Sequence, residues 1–93
     1  MKKYDLEYTS DFEKDKEKLL KSGDIQAIKK LASLLLELTE HPITGTGKPE
    51  PLSGDRSGQW SRRISGKHRL IYMIDNEKYI VLLLSAYGHY DDK

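Results

Sequence analysis

Residues 59–86 read QWSRRISGKHRLIYMIDNEKYIVLLLSA, and this stretch decides the fold. Three runs rich in β-branched and aromatic residues, 59–64, 68–74 and 79–86, are separated only by Ser65-Gly66-Lys67 and Asp75-Asn76-Glu77-Lys78. Connections this short lay consecutive strands side by side in opposite directions, so the stretch predicts an antiparallel meander. Period-two alternation sorts its side chains. If Leu70, Tyr72 and Ile74 face a core, then Arg69, Ile71 and Met73 face the other way. If Trp60 and Ile64 are core, Arg63 joins Arg69 on the open side, and Arg62 falls near the sheet edge or beside a carboxylate. Ser85, Tyr87 and His89 share a parity that brings His89, and Tyr90 after it, to the rim of the sheet.

Upstream the period changes. Lys2 to Tyr8 alternates, with Tyr4, Leu6 and Tyr8 on one side, which predicts a first strand. Ser10 followed by Glu13 reads as a capping box opening a helix to Lys21, whose run of alternating charges predicts a solvated face. Ser22-Gly23 ends it, and Asp24 caps a second helix with Ile25, Ile28, Leu31, Ala32, Leu35 and Leu38 at core spacing. His41-Pro42 closes that helix. Residues 43–58 hold four of the seven glycines and two of the three prolines, the composition of a long functional loop that has room for a short extended piece. Strand, helix, helix and then strands predict an α+β domain: two N-terminal helices packed on one face of a small, mainly antiparallel sheet, with the other face open.

Ninety-three residues support a single core, so the expected organisation is one domain over 1–93. The longest apolar run, Ile80 to Leu84, is five residues, against roughly 20 for a bilayer span, so no membrane association is expected. With 37% hydrophobic and 33% charged residues, a soluble globular protein is expected. The absence of cysteine excludes disulfides, thiolate nucleophiles and cysteine-based zinc sites, and suits the cytoplasm.

Net charge is +1, but it is segregated. Residues 1–46 hold eight Lys and nine Asp or Glu, whereas all four arginines (Arg56, Arg62, Arg63, Arg69) lie between 56 and 69. From Lys48 to Arg69, six cations are set against only Glu50 and Asp55. Arginine bonds phosphate bidentately, so this segment suits an anion, and pairing with neighbouring carboxylates is the competing explanation. Gly45-Thr46-Gly47-Lys48 lacks the spacing of a phosphate loop, and Pro49 stands where Ser or Thr is needed. His41, His68 and His89 lack metal-ligand spacing, and no Gly-x-Ser-x-Gly elbow supports a serine nucleophile. No metal or cofactor is expected.

An acid, clustered arginines and a C-terminal His-Tyr suit metal-free RNA cleavage. A base takes the 2′-hydroxyl proton, cations hold the phosphorane, and an acid protonates the departing 5′ oxygen. Glu50, Arg69 with Arg63, and His89 are the candidates, with Tyr90 available to stack on a base or orient His89. The alternatives at this point are that Glu50 pairs with Lys48 and that Tyr90 is a surface aromatic.

GKPEPL over 47–52, SGQWSRRI over 57–64, HRLIY over 68–72 and the closing His89-Tyr90 resemble the YoeB/Txe toxins of the RelE superfamily. The resemblance implies a RelE-like fold and the toxin of a type II toxin–antitoxin system. It also implies a ribosome-dependent endoribonuclease that cuts mRNA in the A site and so inhibits translation. By motif position it implies Glu50 as general base, Arg69 on the phosphate, His89 as general acid with Tyr90 beside it, Arg63 on the RNA and Lys48 beside the base; Lys48, Arg62 and Arg63 are together the expected RNA-binding residues. The implied partners are mRNA on the ribosome and a cognate antitoxin, with monomer or homodimer left open. The first 40 residues depart from the pattern, carrying a Lys/Glu-rich first helix. The alternative is a catalytically inactive toxin fold that acts only through antitoxin or operator complexes.

Overall fold

The computed structural model describes residues 3–88. Strand β1 (Asp5–Tyr8) leads into helices α1 (Ser10–Ser22) and α2 (Ile25–Leu38). Then come a two-residue strand β2 (Glu50–Pro51), a 3-10 turn (Gly54–Arg56), and strands β3 (Gln59–Arg63), β4 (Arg69–Asp75) and β5 (Ile80–Ser85). The sheet order is β1-β5-β4-β3-β2, with only the β1–β5 pair parallel. The predicted α+β architecture and meander are therefore present, and the long loop supplies the extra edge strand.

Both helices contribute to one core. Phe12 and Leu19 of α1, with Ala27, Leu31, Leu34 and Leu38 of α2, pack on Leu70, Tyr72, Val81 and Leu83. Each large apolar side chain buried in this way contributes about 1.5–3 kcal/mol. The apolar face of α2 is rotated from the sequence expectation: Leu34 and Ala27 are buried, whereas Ile25 is 57% exposed and Ala32 is exposed. A run of three leucines, 34–36, fits more than one helical stripe, and packing selects Leu34 while leaving Leu36 outside.

The first cap also differs by one residue. Thr9, not Ser10, caps α1: its hydroxyl accepts from the Phe12 N–H at 3.1 Å and lies 3.0 Å from the Leu83 carbonyl. Glu13 does not close a capping box; its carboxylate pairs with Lys16 at 3.1 Å. Asp24 caps α2 as the sequence suggests, accepting from the Ala27 N–H at 3.1 Å. Tyr8, on the same side of the strand as Tyr4 and Leu6, is 47% exposed at the end of an edge strand, its ring stacked on Phe12.

A register shift breaks the alternation of β5. Ile71 faces Ser85 and Tyr72 faces Leu83, so Leu84 is the additional residue of a bulge. Ser85 therefore shares the open face with Ile71, and Ala86 turns into the core, where it is completely buried.

Candidate active site

The open face of β2–β3–β4 gathers three of the candidate residues, Glu50, Arg63 and Arg69. Glu50 lies opposite Ser61, which lies opposite Ile71, so the three form one row across the sheet. Two residues along β3, Arg63 lies opposite Arg69 and forms the next row on the same face. With strands about 4.8 Å apart and same-face neighbours about 7 Å apart along a strand, the Glu50 backbone is about 8 Å from Arg63 and about 12 Å from Arg69. Those separations lie within the combined reach of a glutamate and an arginine side chain. Ser61 and Ile71, 2% and 1% exposed, close the floor between them.

The arginines on this face carry no structural ion pair among the described residues. Among the described residues, neither Arg63 nor Arg69 pairs with a carboxylate, and Lys48 does not pair with Glu50. Arg69 is half-buried, its guanidinium donating to the Ser65 carbonyl at 3.0 Å and, more weakly, to that of His68 at 3.4 Å. These bonds aim one edge of the fork and leave other N–H groups for a ligand. Arg63 is exposed.

Arg62 is the correction. Expected to bind RNA, it is completely buried and points to the opposite side of β3. Its Nε donates to the Tyr72 hydroxyl at 3.1 Å, and one terminal nitrogen donates to Glu37 at 3.0 Å and the Thr46 carbonyl at 3.4 Å. The other donates to the Thr44 carbonyl at 2.7 Å and to that of His41. Every donor of its fork points inward, so none is left for RNA. The carboxylate alternative of the parity reading is the one realised, with Glu37 on α2 as partner.

This network shapes the loop that carries Lys48 and Glu50. Tyr72 donates its hydroxyl proton to the Pro42 carbonyl at 2.9 Å, and burial pushes its phenol pKa up, against the opposing pull of Arg62. Glu37 also accepts from the Thr46 N–H at 3.0 Å and its hydroxyl at 2.7 Å. Desolvation would raise the Glu37 pKa, but the Thr46 hydrogen bonds and Arg62 outweigh it and hold the carboxyl below its usual value. The loop then meets β3 where the Arg63 N–H donates to the Gly47 carbonyl at 2.6 Å. Gly47 has φ +80°, and a Cβ there would sit 2.9 Å from the Arg63 carbonyl oxygen and 3.2 Å from Leu34, so only glycine fits. Lys48 follows at φ 51°, a left-handed conformation uncommon for a side-chain-bearing residue.

His89 and Tyr90 lie outside the described residues. The chain that leads to them is fixed as far as Gly88, whose carbonyl accepts from the Arg69 N–H at 3.0 Å and whose N–H donates to His68 Nδ1 at 2.8 Å. Sequence reasoning missed His68, which lies in the HRL motif but whose single imidazole has no spacing signal. It also missed Glu37, whose place beside the core stripe of α2 was the available clue. The described residues contain no cluster of three or more His, Cys, Asp or Glu placed to hold a metal. A groove lined by Glu7, Met73, Asp75, Lys78, Ile80 and Leu82 occupies the other end of the open face, at the β4–β5 hairpin, away from Glu50 and Arg69.

The family model of the YoeB-like toxin of bacterial type II toxin-antitoxin systems matches residues 8–90. The chain belongs to this toxin family. Toxin YoeB of Mycobacterium bovis is 41% identical over 69 residues, covering 74% of this chain and 79% of the relative. Among solved structures, a YoeB/ParE toxin from Agrobacterium tumefaciens superposes with a TM-score of 0.83 at 32% identity, covering 92% and 99% of the two chains. A YoeB dimer from Staphylococcus aureus gives 0.77 at 30% identity, and a heterotetrameric YoeB-YefM toxin-antitoxin complex from the same organism gives 0.76 at 30%. Each of these covers 94% of this chain and 98% of the other. This protein is thus a YoeB-family type II toxin with the two-helix, five-stranded fold of its relatives. None of its described helices is long and apolar enough to cross a membrane.

Proposed function

We propose that this toxin is a ribosome-dependent endoribonuclease that cuts mRNA in the A site and so inhibits translation in the cytoplasm. The observation that carries the reading is the open sheet face, where Glu50 stands beside two arginines that have no carboxylate partner among the described residues. Glu50 takes the proton of the 2′-hydroxyl as that oxygen attacks the adjacent phosphorus. Arg69, helped by Arg63, holds the negative charge that builds on the phosphorane oxygens, where preorganised donors are most effective. His89 gives a proton to the departing 5′ oxygen, and Tyr90 stacks on a base or orients His89. The products are a 2′,3′-cyclic phosphate upstream, or its hydrolysed form, and a 5′-hydroxyl downstream. Each role is filled by a side chain, so the mechanism calls on no metal.

Lys48 adds positive charge beside the base. Arg62 has no part in this surface. A net charge of +1 gives little grip on free RNA, so substrate positioning falls to the ribosome. The cognate partner is an antitoxin, in keeping with the YoeB-YefM complex among the relatives, and it would cover part of this face.

The test is a cleavage map on programmed ribosomes with Glu50→Gln, Arg69→Ala and His89→Gln alongside. Loss of a general acid or base should slow cutting about 10²- to 10⁴-fold. Wild-type rates in all three variants would overturn the mechanism, and a protein that cuts nothing while still binding its antitoxin would be a binding module.

A further inference from the structure

His68 is a buried imidazole with no role in the chemistry above. It is 7% exposed and immediately precedes β4. Its Nδ1 accepts the Gly88 N–H at 2.8 Å, a bond that exists only while that nitrogen carries no proton. Its ring lies 4.4 Å from that of Tyr87. The next residue, Arg69, donates its N–H to the Gly88 carbonyl at 3.0 Å, so consecutive residues grip both polar backbone atoms of Gly88.

The grip is supported from α1. Asp15 accepts the Ala86 N–H at 2.9 Å, and the Lys18 ammonium lies 5.6 Å from the centre of the Tyr87 ring. Strand β5 ends at Ser85, so these contacts hold three further residues that no strand pairing explains. Chain ends normally fray unless something ties them down. Among the described residues the tie reaches Gly88, the residue before His89. Gly88 has φ +80°, and a Cβ there would meet nothing within 4 Å, so the position needs glycine for its backbone conformation and not for space.

We propose that His68 is a positioning residue that acts through Gly88 on the general acid His89. The inference rests on the acid role of His89. The imidazole fixes the last backbone point before that residue beside Arg69, the cation assigned to the phosphate. Misplacing a reacting group by about 1 Å costs up to about 10²-fold in rate.

His68→Phe keeps a ring against Tyr87 and removes the acceptor, whereas His68→Asn keeps an sp² acceptor near the position of Nδ1. On programmed ribosomes, kcat should fall about 10- to 100-fold in His68→Phe, with KM for the ribosome changed by less than about 2-fold. His68→Asn should recover most of the rate. In a His89→Gln background, His68→Phe should cost nothing further, because its effect passes through the missing acid. An equal loss in both backgrounds, or a wild-type rate in His68→Phe, would overturn the proposal. If His68→Phe does not fold, Gly88→Ala asks the same question with His68 intact: a slowed kcat that vanishes in the His89→Gln background is expected, and a loss that persists there refutes the inference. Wild-type cleavage by His89→Gln would instead refute the acid assignment itself, and with it this dependent role.

Discussion

Replacing Arg62 with methionine tests whether the buried guanidinium, and not the core alone, holds the loop that carries Lys48 and Glu50. The side chain is completely buried and bonds five acceptors: Tyr72, Glu37 and the carbonyls of His41, Thr44 and Thr46. Removing one partner of a buried ion pair typically costs about 3–5 kcal/mol. Two features place this case near the lower end. The Glu37 side chain is 25% exposed and keeps both Thr46 hydrogen bonds, so its stranded charge stays solvated. His41, Thr44 and Thr46 are exposed, so their carbonyls find water, and each forfeits only about 0.5–1.5 kcal/mol. Three such bonds give about 3 kcal/mol, a large part of the roughly 5–14 kcal/mol available to a chain of this length. At about 4–8 °C per kcal/mol, Tm should fall by about 12–24 °C. Thermal and urea unfolding of Arg62→Met, Glu37→Gln and the double variant measure it, and the double variant should be less destabilised than the sum of the singles by at least about 1 kcal/mol. A drop of less than about 5 °C in Arg62→Met would refute the reasoning.

Acid should expose the same network. Because the native Glu37 pKa is lowered, its contribution is present above the unfolded value of about 4.3 and is lost as pH falls through the native value. The wild type should therefore lose stability below about pH 4.3 more steeply than Glu37→Gln in unfolding titrations, and parallel curves would contradict this. Thr9→Ala should cost about 1–2 kcal/mol in urea unfolding, since Thr9 caps α1 and also reaches the Leu83 carbonyl, whereas Ser10→Ala should stay within about 0.5 kcal/mol. The reverse order would return the cap to Ser10. Gly47→Ala should destabilise by about 1–3 kcal/mol, because its Cβ meets backbone at 2.9 Å and its φ is +80°; an unchanged Tm would show that the loop yields there.

The strands were readable because each is short, β-rich and bounded by turn residues, and their alternation put Leu70 and Tyr72 inside and Arg63 with Arg69 outside. Motif positions brought Glu50 into the same set, and its pairing with Ser61 gives that set a place on the sheet. Other features depend on packing that leaves no local trace. Leucines 34–36 offer several helical stripes, and Thr9 and Ser10 are chemically interchangeable as caps. The bulge at Leu84 has no glycine to announce it, so strict alternation through the end of β5 misses the turn of Ala86 into the core. Alternation separates Arg63 from Arg62, but that Arg62 goes fully inside, beside a carboxylate instead of at the sheet edge, depends on Glu37, distant along the chain.

That pair of adjacent arginines has a practical consequence for anyone selecting cells that survive production of this toxin. Survivors will arise from changes at both positions, and a sequencing readout alone will score them alike. Changes at Arg62 should lower the amount of folded toxin, whereas changes at Arg63 should leave a folded protein whose cutting, on the proposed mechanism, is weakened. Counting survivors by soluble yield separates the two groups. The folded class is the one suited to capturing an antitoxin without harming the host that makes it.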